Sequence, residues 1–104
     1  MSQLRYLAQA KDDLISIKKY IARETGSQST ALQYTGKIRE QCRKLADLPG
    51  KIGRLRPELR ENLRSFPYGN YVIFFMVNDD TLEIVTIIEG HRDIEAVFEE
   101  QTPR

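Results

Sequence analysis

The segment that decides the fold has the sequence LRSFPYGNYVIFFMV from Leu63 to Val77, NDDT from Asn78 to Thr81, and LEIVTIIEGHRD from Leu82 to Asp93. Two runs rich in β-branched and aromatic residues therefore flank a short polar break. This pattern is typical of an antiparallel β-hairpin with a polar turn. We predict that the hairpin is the centre of the fold and that the rest of the chain covers it.

The two runs differ in how evenly they are apolar. The first is apolar at every position from Tyr71 to Val77. A strand with one face in water alternates between apolar and polar residues, so this run predicts a central strand covered on both faces. The second run mixes Glu83 and Thr86 with aliphatic residues, which indicates a strand nearer the edge of the sheet.

Length and composition are those of one small globular domain. The chain has 104 residues, 40% hydrophobic and 30% charged, with a formal net charge of +1, so we expect a single domain over residues 1–104. This charge gives no overall attraction to nucleic acid. No apolar run approaches the roughly 20 residues of a membrane span, and no signal-peptide core is present. The single cysteine, Cys42, favours a cytoplasmic location and a small core role.

A short strand at Gln3–Leu7 and then a helix are predicted at the start of the chain. The helix follows from apolar residues on one helical stripe, and Gly26 ends it as a left-handed cap. Asp12 and Asp13 are expected near its start, where the helix dipole favours acidic side chains. The stripe consists of Ala10, Leu14, Ile17 and Ile21.

A second helix is predicted to follow at once and to end at Pro49-Gly50. Thr30 has the spacing of a capping box, and Ser27 and Ser29 are alternative caps. Because so few residues join the two helices, we expect an antiparallel helical hairpin packed on the sheet. The apolar positions of the second helix are Ala31, Tyr34, Ile38, Cys42, Leu45 and Leu48.

The stretch Lys51–Asn62 is the one locally basic segment, and Gly53 and Pro57 are expected to prevent regular structure there. It is interpreted either as a solvated connector or as a rim around a binding surface. After the hairpin, Asp93 can cap a short helix of about a turn and a half, and residues 99–104 are expected to form a loose tail. The basic residues are Lys51, Arg54, Arg56 and Arg60, and the apolar helix residues are Ile94, Val97 and Phe98.

The predicted fold class is α+β, with an N-terminal strand and an α-helical hairpin packed on an antiparallel β-sheet and a short C-terminal helix. This order and several motifs resemble the RelE/ParE family of toxins from bacterial type II toxin–antitoxin systems, and more closely its ParE branch. The resemblance covers nearly the whole chain. The motifs are DLI at 13–15 with YIA at 20–22, RLRPEL at 54–59, LRSFP at 63–67, YVIFF at 71–75 and GHRDI at 90–94.

The chain departs from the ParE pattern at two places. ParE-like chains commonly carry His-Gly-Arg-Arg-Asp at the end of the last strand, whereas this chain has Glu89-Gly90-His91-Arg92-Asp93. They also often have a basic residue after the aromatic pair of the central strand, where this chain has Met76. Any role that depends on those groups is affected by these changes.

The resemblance implies two alternative functions. RelE-like members are similar to ribosome-dependent mRNA endoribonucleases, whose reaction needs an acid, a base and cations around the phosphate. The candidates for that chemistry are His91 as acid or base, Arg64 and Arg92 as cations, and Tyr68 or Tyr71 as proton donor. Such sites cluster several cations, whereas this sheet offers only Arg64 and Arg92. Hydrolysis is therefore the less favoured function.

ParE-like members are similar to inhibitors of DNA gyrase, which act by binding and need no active site. This is the function we expect, without catalytic residues, metal or cofactor. The expected target-binding residues are Arg54, Arg56, Arg64, His91 and Arg92. The last three are expected to cluster with Asp93 at the end of the sheet. An Arg–Asp pair that only ties the last helix to the sheet is an equally good interpretation.

The resemblance also implies a protein partner, a cognate antitoxin whose partly disordered tail folds on the toxin. We expect a hetero-oligomer with that antitoxin, no membrane contact, and an exposed apolar strip that the antitoxin covers. The candidate residues are Ile15, Tyr20 and Leu32, which lie off the core stripes. An inactive homologue that serves only as antitoxin partner is a third possibility.

Overall fold

The computed structural model describes residues 3–48 and 52–101. The elements are β1 (Gln3–Tyr6), α1 (Ala8–Thr25), α2 (Gln28–Asp47), β2 (Arg54–Leu55), β3 (Arg64–Tyr68), β4 (Tyr71–Asn78), β5 (Thr81–Glu89) and α3 (Ile94–Gln101). The strands form one sheet in the order β1-β5-β4-β3-β2, in which β1 pairs with β5 in parallel and the other pairs are antiparallel. The predicted α+β fold is confirmed, but the sheet is mixed rather than purely antiparallel, because β1 is parallel to β5.

Strands β4 and β5 form the predicted hairpin, with a shorter turn than expected. Asn78 and Thr81 are already paired in the ladder, so the turn itself is Asp79-Asp80. Asp79 has a φ of 53°, a left-handed conformation that aspartate tolerates better than most residues. β4 lies at the centre of the sheet, as predicted. The last residues of β4 are not covered, since Val77 is exposed.

Different elements cover the two faces of the sheet. On one face, α1 and α2 pack through their buried stripes against Ile73 and Phe75, and Cys42 lies in this cluster as predicted. On the other face, α3 packs on β4 through Phe98, whose ring meets that of Phe74 edge to face at 5.0 Å between centroids. Successive side chains of a strand point to opposite faces. The continuous apolar run of β4 therefore serves two separate cores.

Strand β5 carries a bulge at Val85. Thr86 pairs with Phe74 and Ile84 pairs with Phe75, so β5 has one residue more than β4 between these pairs. A bulge leaves ladder groups without their usual partners and bends the strand. The last residue of β5 that pairs with β1 is Ile84. Among the strands that the structure describes, none continues along that side of β5 beyond this point.

Asp13 of α1 occupies this open side of β5. One oxygen of its carboxylate, Oδ2, accepts the backbone N–H of Ile87 at 2.9 Å and the hydroxyl of the fully buried Thr86. Asp13 lies in the second turn of α1, so the expectation that Asp12 and Asp13 serve the helix dipole is wrong. The carboxylate of Asp13 instead substitutes for strand hydrogen bonds and ties α1 to the sheet.

The helical hairpin forms as predicted. Gly26 follows α1 with a φ of 67°, and its N–H bonds to the carbonyl of Ala22. Ser27 is the cap of α2, because its hydroxyl accepts the N–H of Thr30 at 3.1 Å. Most of the predicted stripe of α2 is buried, but Leu48 at its end is exposed. Pro49-Gly50 lies outside the described residues.

The basic segment is more regular than predicted. Arg54–Leu55 forms the short strand β2, which pairs with Ser65 and Arg64 of β3, so the expectation of no regular structure is wrong here. Gly53 permits this pairing, because it has a φ of 82° and a Cβ there would lie 2.7 Å from the carbonyl oxygen of Ser65. Lys51 lies outside the described residues.

Helix α3 is longer than predicted. Asp93 caps it as expected, since its carboxylate accepts the N–H of Ala96 at 3.1 Å. The helix runs from Ile94 to Gln101, so Glu99 belongs to it and the prediction of a loose tail is wrong for residues 99–101. Residues 102–104 lie outside the described part of the chain.

Candidate functional site

His91 and Arg92 lie in an exposed turn after β5. The N–H of Gly90 bonds to the carbonyl of Asn70 at 2.9 Å, which fixes this turn beside the connection between β3 and β4. The side chain of His91 is 77% exposed, and its Nε2 lies 3.1 Å from the carboxylate of Glu89. Among the described residues, the His91 ring is thus in contact with a carboxylate. That is the opposite of the cationic setting that phosphate chemistry requires.

Arg64 is remote from this turn. It begins β3, whereas the turn adjoins the other end of the sheet, where Tyr68 pairs with Tyr71. Four residues of a strand span roughly 13 Å, and β4 lies between β3 and β5. The predicted cluster of Arg64 with His91 and Arg92 therefore does not form.

Arg56, expected at a binding rim, is engaged within the chain. Its Nε lies 2.7 Å from the Glu58 carboxylate, and its Nη1 donates to the Ser65 hydroxyl at 3.4 Å. Its guanidinium also lies over the ring of Phe74, 5.7 Å from the centroid. Hydrogen bonding to Arg56 lowers the pKa of Glu58. This side chain therefore supports the packing of the segment onto the sheet.

The other arginines of this region divide into engaged and exposed ones. Arg64 donates through Nη1 to the carbonyl of Gly53 at 3.3 Å and is therefore engaged within the chain. Arg60 lies over the ring of Phe98, 5.4 Å from the centroid. Arg54 is exposed on β2 at the edge of the sheet. A partner approaching this edge would therefore meet Arg54 before the others.

Tyr71 shares a groove with Arg92. The ring of Tyr71 is buried and meets that of Tyr34 edge to face at 5.9 Å. Burial first, and then the charge of Glu89, raise the pKa of Tyr71 to about 12. The groove, of about 270 Å³, is also lined by Tyr20. Its charged residues are Asp13, Arg23, Glu89 and Arg92, so charges of both signs face any ligand there.

The three predicted antitoxin-binding residues are all exposed but do not form one strip. Ile15, Tyr20 and Leu32 are 53%, 45% and 55% exposed. Ile15 lines an open groove of about 610 Å³ along α1 and the start of α2, whereas Tyr20 lines other grooves. The groove at Ile15 is basic, which the sequence analysis missed. Its cationic residues are Lys18, Lys19 and Arg23, and their helical spacing from Ile15 is the signal that could have found it.

The described residues offer neither a group of metal ligands nor a reactive thiol. In that part of the chain no three His, Cys, Asp or Glu side chains are grouped so that they could hold a metal ion. Cys42 is buried, and this burial raises the pKa of its thiol to about 11, which keeps it in the unreactive protonated form. Among the helices described, none is both long and apolar enough to cross a bilayer.

Solved structures with the same fold include two toxin–antitoxin systems. A chain of the chromosomal ParDE system from P. aeruginosa is 22% identical, with a TM-score of 0.72 over 86% of this chain and 96% of that chain. A chain of the RelBE2 toxin–antitoxin complex from Mycobacterium tuberculosis is 19% identical, with a TM-score of 0.52 over 85% of this chain and 96% of that one. No curated protein matches at a significant level. At these identities the likeness shows the fold alone.

A family model decides the classification. The model described as the ParE toxin of the type II toxin–antitoxin system parDE matches residues 4–94. The chain belongs to the ParE toxin family. The resemblance to the ParE branch is therefore confirmed. In this ParE-family chain, Met76 packs partly buried against the cluster that contains Phe98, so this position serves the core on the α3 face.

Proposed function

We propose that this ParE-family protein inhibits DNA gyrase by binding it and is neutralised by a cognate antitoxin. The family match over residues 4–94 is the observation that carries the proposal. We further propose that the chain acts as a single domain over residues 1–104, in the cytoplasm, and in a hetero-oligomer with its antitoxin.

The positions of the charged side chains support binding rather than cleavage. Cleavage of RNA needs an acid, a base and cations at one phosphate. In the described part of the chain, His91 is paired with Glu89, and the ladder places Arg64 far from both. Of the residues proposed for hydrolysis, Arg64 thus lies apart from His91 and Arg92, whereas a contact surface tolerates such spacing.

The exposed cations are the proposed points of contact with the target. Arg54, His91 and Arg92 are exposed, and their side chains can donate hydrogen bonds to a target. Among the described contacts, His91 would give up the one with Glu89. Arg56 and Arg64 belong to the same proposed surface, but their internal hydrogen bonds suggest that they hold β2 and its loop in position. Substitutions of Arg54 and Arg92 therefore test target contact most directly.

The basic groove on α1 is a proposed antitoxin surface. Ile15 offers an apolar contact there, and three cations line the same groove. Leu32 is exposed on α2, which begins at the end of this groove. An amphipathic antitoxin segment with acidic residues beside its apolar ones would match both features.

One pair of assays tests the proposed function. The purified protein is added to gyrase supercoiling reactions and to a translating extract with primer-extension mapping of mRNA. We expect loss of supercoiling and no codon-phased cuts. Arg54→Ala and Arg92→Ala should each weaken inhibition roughly tenfold, the usual effect of losing one charged contact. Lys37→Ala, an exposed cation on α2, is the matched control and should leave inhibition unchanged.

The other functions give different results in the same assays. Codon-phased cuts that disappear in His91→Ala would establish the endoribonuclease alternative. Inertness in both assays, with antitoxin binding retained, would indicate an inactive homologue that serves only as antitoxin partner. Either result would replace gyrase inhibition as the function.

A further inference from the structure

A pocket lined by three tyrosines lies at the tip of the helical hairpin. It has a volume of about 380 Å³ and is formed by the end of α1, the start of α2 and the turn between β3 and β4. The tyrosines are Tyr20, Tyr34 and Tyr71, and Glu24 lies in the same wall. Tyr20 and Glu24 are four residues apart on α1, so they occupy one face of the helix.

The three rings sit at different depths. Tyr71 is buried at the floor, Tyr34 meets it edge to face at 5.9 Å with an interplanar angle of 65°, and Tyr20 stands 45% exposed at the mouth. The Tyr34 hydroxyl lies close to the turn, because a Cβ at Gly69 would be 2.8 Å from it. Glycine at this position therefore makes room for the ring.

The pocket has an acidic character. Among the described residues that line it, Glu24 is the one with a formal charge. The charge of the Glu24 carboxylate, and then a hydrogen bond to it, raise the pKa of Tyr20. The charge of Glu89, from the neighbouring groove, also raises the pKa values of Tyr20 and Tyr71. The carboxylates of Glu24 and Glu89 therefore act together at Tyr20, where the charge of Arg23 opposes them.

We propose that this tyrosine pocket binds an arginine or lysine side chain of the antitoxin. A cation is attracted by the faces of aromatic rings and by a nearby carboxylate, and its apolar stem can pack on the rings at the mouth. The opposite side of α1 has the reverse charge, with three cations along its groove. An antitoxin segment that crosses α1 would thus place a basic residue in the tyrosine pocket and acidic residues in the basic groove.

Affinity measurements with the complete antitoxin test this proposal, which depends on the proposed function for the identity of the partner. In titration calorimetry, Glu24→Gln and Tyr20→Leu should each weaken antitoxin binding roughly 5- to 30-fold. Substituting each antitoxin arginine and lysine by alanine should reveal one residue with the same loss. That substitution should cause no further loss when combined with Glu24→Gln. Glu40→Gln, an exposed carboxylate on α2 outside the pocket, is the matched control.

A second measurement examines the pocket without the antitoxin. Argininamide is titrated into the full chain while the NMR signals of the tyrosine rings are followed, and citrullinamide serves as the isostere with an uncharged side chain. We expect the ring signals of Tyr20, Tyr34 and Tyr71 to shift with argininamide only, and the shifts to vanish in Glu24→Gln. Equal responses to both probes, or none to argininamide, would overturn the proposal.

The two failures can be told apart. If the antitoxin binds but Glu24→Gln acts like Glu40→Gln, or couples with none of the antitoxin cations, the pocket proposal is wrong and the proposed function stands. If the antitoxin does not bind at all, the proposed partner is wrong, and the argininamide titration still decides whether the pocket accepts a guanidinium group.

Discussion

Replacing Asp13 by alanine should be among the most destabilising single changes on the surface of α1. The substitution removes the acceptor for the Ile87 N–H and for the Thr86 hydroxyl. Thr86 is fully buried, and an unsatisfied buried polar group costs about 1–3 kcal/mol. Asp13 itself is only partly buried, so in the variant water can hydrogen-bond to the groups left without the carboxylate and offset part of the cost. We therefore expect the free energy of unfolding to fall by about 2–4 kcal/mol.

Urea unfolding followed by circular dichroism measures this change. A loss of that size lowers the Tm of a domain of this length by on the order of 10–20 °C. Asp13→Asn keeps one acceptor oxygen without the charge, so we expect a smaller loss of about 1 kcal/mol. Asp12→Ala is the matched control, since Asp12 is exposed on the same helix and should cost less than about 0.5 kcal/mol.

A double-mutant cycle decides whether the loss comes from the proposed contact. If Asp13 bonds to Thr86, then Thr86→Val should cost about 1 kcal/mol less in the Asp13→Ala background than in the unmodified chain. Equal costs in both backgrounds, or the same stability for Asp12→Ala and Asp13→Ala, would refute the view that Asp13 completes the open side of β5.

Three further predictions concern Gly26 and Gly36, the reactivity of the buried thiol, and its effect on stability at high pH. Gly26→Ala should lower the free energy of unfolding by about 1 kcal/mol because of its left-handed backbone. Gly36→Ala inside α2 should raise it by about 0.5–1 kcal/mol, since no described atom other than the adjoining helix backbone lies within 4 Å of the added methyl group. Thermal unfolding that shifts in the same direction for both variants would contradict this. Cys42 should react with a thiol reagent only as fast as the chain unfolds, and rapid labelling of the folded protein would contradict its burial. Burial raises the pKa of Cys42 from 9.0 to about 11. The part of the free energy of unfolding that depends on the protonated thiol is therefore complete below pH 9 and is lost as the pH rises towards 11.

The exposure of candidate site residues could be predicted from sequence only where a local pattern indicated it. Ile15, Tyr20 and Leu32 lie off the apolar stripes of their helices, and all three are exposed. The sequence could not show that Arg56 and Arg64 are engaged within the chain while Arg54 is exposed. This difference depends on Glu58, Ser65 and Gly53, which come within reach of the two engaged guanidinium groups only in the folded loop. The spacing of charged residues along the chain does not show which carbonyl or carboxylate will lie near a given arginine in the folded protein.

The sequence by itself determined the hairpin, the helical hairpin and the family. Periodicity shows which face of an element is buried, so the unbroken apolar run of Tyr71–Val77 was enough to predict a central strand. The cap residues Gly26 and Asp93 marked the end of one helix and the start of another, because their backbone and side-chain preferences are local.

Only the tertiary structure decided which distant residues meet. The bulge at Val85 shifts the register of β5, and this brings Thr86 within reach of Asp13, 73 positions earlier in the chain. The same strand ladder separates Arg64 from His91. The packing of the helical hairpin against the sheet brings Tyr20, Tyr34 and Tyr71 around one pocket. A buried face can be inferred from the periodicity of apolar residues, but the partner across it depends on strand register and helix packing, which no local pattern encodes.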